Sequence, residues 1–112
     1  LGFIAVAAGA FAAHGLEDVL SPRRLETFQT GARYQMYHAL ALLAIAWLAR
    51  HRPGPLIAVA GWAMVSGTIV FSGSLYVLAL TDVGWLGAIT PIGGIAQLLG
   101  WLLLTVAAFR SP

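Results

Sequence analysis

Cysteine is absent from this 112-residue chain, and charge is nearly as scarce: only 9% of the residues are Asp, Glu, Lys or Arg, against roughly 25% in an ordinary soluble domain. The first absence excludes disulfides and thiolate-bound metals, and leaves the redox compartment open. The second excludes a water-facing surface, which cannot be built from so few charges. Lysine is missing too, so the six basic residues are all arginine, set against four acidic ones. They fall between or after the apolar runs, the pattern of membrane-flanking charge and not of a nucleic-acid patch. No nucleic-acid partner is expected.

What the chain does have is apolar length, with 60% hydrophobic residues. A bilayer core about 30 Å thick needs roughly 20 apolar residues per helical crossing, so about four or five crossings fill the chain and no soluble domain fits beside them. The expected fold class is therefore all-α: a single integral membrane domain over residues 1–112, built as a four-helix bundle. The sequence opens at Leu1 inside an apolar run, not at methionine, which leads to the expectation that the first span starts further upstream.

Spans are expected over about 1–14, 34–50, 56–80 and 91–109. The first run ends in Ala10, Ala12 and Ala13 and shares that feature with signal peptides. Small residues recurring at Gly2, Ala5, Gly9 and Ala13 favour a packing helix instead. Ser21-Pro22 reads as a capped helix start, and Leu25, Phe28 and Ala32 on one face predict a short interfacial amphipathic helix over about 22–32. Pro53-Gly54-Pro55 reverses the chain, and Thr90-Pro91 repeats the cap-plus-proline signature before the last span. Gly9, Gly67, Gly73, Gly93, Gly94 and Gly100 are the expected helix-packing positions.

Four antiparallel crossings would bring the end of the first helix, the start of the second, the end of the third and the start of the fourth to one membrane face. The unusual residues lie in those places: His14, Arg33, Tyr34, Tyr37, His38, Ser72, Ser74, Tyr76 and Thr90. Ionisable groups at membrane depth are costly, which makes this cluster a candidate site. Hydroxyl and amide groups also bridge helices, and tyrosines gather at interfaces, so a purely structural role explains the same residues. His14 and His38 do not make a metal or haem centre by themselves. A haem needs its ligands on opposite sides of the ring, and Glu17 and Asp18 are only loop positions. His51, between Arg50 and Arg52, reads as interfacial. Ser72 and Ser74 lack a nucleophile elbow and a base, so no catalytic set is identified. Neither a metal nor another cofactor is expected.

Gly9-Ala10-Phe11-Ala12-Ala13-His14-Gly15-Leu16, Tyr34-Gln35-Met36-Tyr37-His38-Ala39-Leu40, Phe71-Ser72-Gly73-Ser74-Leu75-Tyr76 and Thr90-Pro91-Ile92-Gly93-Gly94 together resemble the YgdD-like family of small membrane proteins, also called the transmembrane protein 256 family. The resemblance covers nearly the whole chain. It implies a four-span protein of bacterial inner membranes, with relatives in mitochondria and no established biochemical activity. The family's motif positions fall on His14, Tyr37, His38, Ser72 and Ser74; Ala12 departs from the pattern, where relatives commonly carry glycine.

The leading functional expectation is a non-enzymatic membrane protein, in contact with lipid, that acts as an accessory subunit of a larger complex or as a homo-oligomer. A rival is a small transporter or channel with a polar half-membrane cavity. A second rival is a haem- or metal-binding membrane subunit. Arginines divide evenly between the two membrane faces, Arg50, Arg52 and Arg110 against Arg23, Arg24 and Arg33, so the positive-inside rule leaves orientation tied.

Overall fold

The computed structural model describes residues 1–110. Four α-helices follow in order, α1 Gly2–His14, α2 Pro22–His51, α3 Pro55–Thr81 and α4 Thr90–Phe109, with a short 3-10 helix, Gly84–Ala88, before the last. There is no strand among the described residues. The molecule measures 53 × 26 × 15 Å, and α2, about 45 Å long at 1.5 Å per residue, accounts for most of the long axis.

Local chemistry sets most helix ends. Ser21 caps α2, its hydroxyl accepting from the Arg24 N–H at 3.3 Å, and Pro22 occupies the first turn. Pro53 and Pro55, flanking Gly54, separate α2 from α3. The latter ends on Asp82 in the left-handed conformation, at φ 57°, where its N–H closes on the Leu78 carbonyl.

Two expectations are corrected. The interfacial helix over 22–32 and the span from 34 are one continuous helix. A change from polar to apolar composition does not end a helix when no proline interrupts it. The hydroxyls of Thr27 and Thr30 bond back to the carbonyls of Arg23 and Glu26 without disturbing it. Thr90 does not cap α4 either. Its hydroxyl lies 2.6 Å from that of Ser74 on α3, and Ile89 takes the cap position.

The helices pack in chain order, α1 on α2, α2 on α3 and α3 on α4, with a small contact between α2 and α4; α1 touches no other helix. Two apolar cores result. One joins Ala41 and Ile45 of α2, Ile57, Ala60 and Met64 of α3, and Leu104 of α4. The other joins Ala12 of α1, Leu16 and Leu20 of the following loop, Phe28 of α2 and Ala79 of α3.

Glycine sets the approach of α3 and α4. A Cβ on Gly93 would stand 2.4 Å from the Phe71 backbone nitrogen, and one on Gly67 would stand 2.8 Å from the Gly93 carbonyl oxygen. Gly100 faces Met64 in the same way. Gly9 and Gly73, expected to serve packing, have no atom within 4 Å of such a Cβ, and Gly94 has ordinary room beside the Phe71 ring. Small-residue spacing identifies a permissive face but does not say which face meets a neighbour.

The outer surface is apolar. Phe3, Trp62, Leu98 and Phe109 are all at least 70% exposed, and a soluble monomer does not carry exposed apolar surface on this scale. Two helical stretches, Pro55–Thr81 and Gly84–Phe109, are long and apolar enough to cross a membrane.

Candidate functional site

A polar layer lies between the two apolar cores. On α2 it is placed by the inward stripe Phe28, Gly31, Ala32, Gln35, His38, Ala41 and Ile45, whose spacing of three to four keeps one face of the helix on α3. Gln35 and His38 are the polar members, and both are buried. Thr68, Ser72 and Ser74 of α3, and Thr90 and Gln97 of α4, complete the buried set.

Each helix contact in the layer carries its own hydrogen bond. The Gln35 amide N–H donates to the Leu1 carbonyl at 2.8 Å, which ties α2 to the start of α1, while its Oε1 accepts from the Tyr76 hydroxyl at 2.8 Å. The Ser72 hydroxyl donates to the Gly31 carbonyl of α2 at 2.7 Å. Gly31 allows this approach, since a Cβ there would meet the Tyr76 ring at 2.9 Å. Ser74 and Thr90 join α3 to α4, and the Gln97 amide reaches the Thr68 hydroxyl at 3.4 Å.

His38 spans the remaining contact. The Trp101 indole N–H can only donate, so His38 Nε2, 3.1 Å away, is the acceptor. Nδ1 therefore carries the proton and donates to the Tyr34 carbonyl at 2.6 Å. Both ring nitrogens are occupied, and neither is left for a metal or a haem iron. No buried side-chain nitrogen or oxygen among the described residues lacks a partner.

The other residues expected in the cluster lie outside this layer. His14 is exposed at the end of α1. Arg33 is exposed and pairs with Glu26 at 2.7 Å; that hydrogen bond, ahead of the Coulombic attraction, holds its guanidinium above the ordinary value, so it is a fixed charge. Tyr34 and Tyr37 are exposed, their rings 5.5 Å apart, and Tyr34 leans on Phe71 at 4.9 Å. One cavity in this half of the molecule measures about 170 Å³, and Arg23, Arg24, Thr27 and Asp82 are among its lining residues. None of its lining residues belongs to the expected cluster. Among the described residues no three His, Asp or Glu side chains come together as a metal site.

Sequence reasoning passed over Gln35, Thr68, Gln97 and Trp101 as site members. Gln35 stands one helical turn before His38 on the apolar face, and Gln97 lies between Gly93 and Gly100 on the face that meets α3, so a polar residue at core periodicity was the available signal. Arg24 gave none. Its guanidinium donates to the Ala79 carbonyl at 2.8 Å and to that of Leu80 at 3.0 Å, closing the C-terminal end of α3.

Close relatives are found among bacterial proteins. The UPF0382 membrane protein YwdK of Bacillus subtilis (strain 168) is 46% identical over 108 residues, covering 96% of this chain and 88% of that protein. A UPF0382 membrane protein of Staphylococcus epidermidis is 49% identical over 107 residues, covering 96% and 87%. The UPF0382 inner membrane protein YgdD of Escherichia coli (strain K12) is 40% identical over 109 residues, covering 97% and 83%. No solved structure matches the chain. These names and the two span-length helices make the chain an integral membrane protein, in keeping with the expected place in a bacterial inner membrane. Matching over residues 8–94 the family described as "Protein of unknown function (DUF423)", with such relatives across most of its length, the chain belongs to that family, the YgdD-like small membrane proteins.

Proposed function

We propose that this protein is a non-enzymatic four-helix membrane protein that works by lateral assembly, as an accessory subunit of a membrane complex or with copies of itself. The observation that carries the reading is the complete internal satisfaction of the polar layer. Its hydroxyls, amides and imidazole are used to hold helices together, and among the described residues no nucleophile is paired with a base. Chemistry inside the chain is thereby reduced to cohesion, and the apolar exterior is what remains to act on other molecules. None of the relatives named above carries an enzyme name.

The outer faces fit that role. α1 rests on α2 alone, and Gly9 opens outward. On α3, Gly73 opens outward between Ile69 and Val77, both exposed. Such positions let a neighbouring helix approach closely in the membrane plane. The test is purification in mild detergent after cross-linking in native membranes, with photo-reactive residues at Ala13 and Ile69. A defined adduct, either a second copy or a membrane protein, is expected. A strictly monomeric protein with no adduct from either position overturns the reading.

A further inference from the structure

The two ends of the molecule differ in charge in a way that the polar layer does not explain. Glu17, Asp18, Glu26 and Asp82, all the acids of the chain, lie at the end formed by the α1–α2 loop, the start of α2 and the end of α3. The opposite end, formed by the α2–α3 turn and the end of α4, carries Arg50, His51, Arg52 and Arg110 and no acid. The ion pair among the described residues, Arg33 with Glu26, is at the acidic end, which leaves these arginines without a carboxylate.

Arg52 and Arg110 line one cavity of about 360 Å³, together with His51, Leu56 and Ile57. Gly54 precedes α3 there without a side-chain cap, so the first-turn N–H groups of that helix add positive potential to the same space. Two apolar grooves leave this cavity. One, of about 410 Å³, runs between α2 and α3; it shares Pro53, Gly54 and Ile57 with the cavity and continues to Val65. The other, of about 460 Å³, lies between α2 and α4 and shares Leu48 and Arg52 with it. From Pro55 to Val65 is about 15 Å of helix, half of a hydrocarbon core about 30 Å thick, which is the depth of one leaflet.

We infer that this end is a binding site for an anionic glycerophospholipid, with the phosphate held between Arg52 and Arg110 and one acyl chain in each groove. Charge complementarity selects the headgroup, since an arginine cavity without a carboxylate favours a net negative lipid over a zwitterionic one. The grooves select a lipid over a free anion, because a free anion leaves two apolar channels unused, one of them as deep as a leaflet. Arginines that served only as topological markers would not need to share a cavity from which both channels open.

Trp62 lines the first groove and Trp47 the second, so the protein carries its own reporters. The experiment reconstitutes the full chain, in a Trp85→Phe background, in bilayers of dioleoylphosphatidylcholine and dioleoylphosphatidylglycerol. One lipid at a time has brominated acyl chains, and tryptophan quenching gives their relative affinity. A preference of roughly thirtyfold for the phosphatidylglycerol is expected, the scale of two basic contacts at a membrane surface. It should fall towards unity in Arg52→Gln with Arg110→Gln, and survive in Arg52→Lys with Arg110→Lys and in Arg23→Gln at the other end. The lysine pair keeps the test valid should the glutamine pair lose helicity. No preference in the parent protein, equal loss in Arg23→Gln, or a preference unaffected by the glutamine pair overturns the proposal. So does removal of the preference by inorganic phosphate, which would mark a site for free anions.

Discussion

The indole of Trp101 donates to Nε2 of His38 at 3.1 Å, and this bond is the polar link between α2 and α4. Those two helices meet over a small area, so few other contacts substitute for it. Trp101→Phe keeps most of the ring and removes the donor, leaving the imidazole nitrogen without its partner. A loss of about 1 kcal/mol is expected, between the average for hydrogen bonds inside membranes and the cost of an orphaned buried acceptor. His38→Ala with Trp101→Phe should cost less than the two single changes together. Reversible unfolding in mixed micelles measures the cycle, and strict additivity would show that the pair does not interact. Ion flux through liposomes should be the same with and without His38→Ala.

The glycines divide into two groups with opposite expectations. A Cβ at Gly93 meets the backbone of Phe71, which cannot move aside without shifting α3. Gly93→Ala should therefore destabilise by about 1–3 kcal/mol, the range for overpacking. Gly100→Ala presses on Cγ of the fully buried Met64, with the Ala60 carbonyl and the Met64 backbone nitrogen close behind, and should cost a similar amount. Gly9→Ala and Gly73→Ala, with open space around them, should leave the packing intact and raise the unfolding free energy of the monomer by up to about 1 kcal/mol, the helix preference of alanine over glycine. An effect of Gly73→Ala on cross-linking, without a loss of monomer stability, would place that face in an assembly.

Much of this architecture is legible in residue order, and the reasons the rest is not are physical. Ser21-Pro22 and Pro53-Gly54-Pro55 act through local sterics and local hydrogen bonds, so their effects appear where the sequence puts them. Gly67, Gly93 and Gly100 were also recognisable as packing positions. The continuity of α2 through Arg33 was not, because polarity changes there while helix geometry does not. Thr90 has the same composition as a cap but lies within reach of Ser74, and a contact between residues far apart in sequence decided its role. The candidate site divided for a similar reason. His14 and His38 are both near helix ends by sequence, yet one faces outward and the other is buried. Helix rotation sets that difference, and rotation depends on which neighbour the helix finds.

Unbroken α2 makes a specific claim about Arg33. Were the helix hinged there, proline would be tolerated at the joint. Arg33→Pro instead removes a hydrogen bond from the middle of a continuous helix and introduces a clash with the preceding turn, so a loss of about 3 kcal/mol is expected. Arg33→Ala loses only exposed interactions, the pair with Glu26 and a bond to the Thr30 hydroxyl, and should cost about 0.5 kcal/mol or less. Similar stabilities for the two variants would restore a separate interfacial helix.

Arg24 closes α3 with two bonds from one guanidinium, to the carbonyls of Ala79 and Leu80. Arg24→Gln should lower stability by about 1–2 kcal/mol, since it leaves two terminal carbonyls unbonded and removes a cation from the negative end of the helix dipole. Arg24→Lys restores the charge but not the two-pronged geometry, and should recover only part of the loss. Arg23, its exposed neighbour, should tolerate the same change.

These roles also bear on orientation, where a bare count of arginines is tied. At the acidic end, Arg24 is committed to helix carbonyls and Arg33 to Glu26. At the other end Arg50, Arg52 and Arg110 face no acid. Acidic residues contribute little to the positive-inside rule, so the pairing alone does not decide the matter. The connections at both ends are short, so what separates them is that Arg24 and Arg33 are held by carbonyls and an acid while, among the described residues, Arg50, Arg52 and Arg110 remain as free positive charge. The α2–α3 turn and the end of α4 are therefore expected in the cytoplasm. A fluorescent reporter fused after Pro112 should be bright, and a cysteine placed at Gly54 should react with an impermeant thiol reagent only after the membrane is opened. Labelling of that cysteine in intact cells, with labelling at Gly84 blocked, would reverse the assignment.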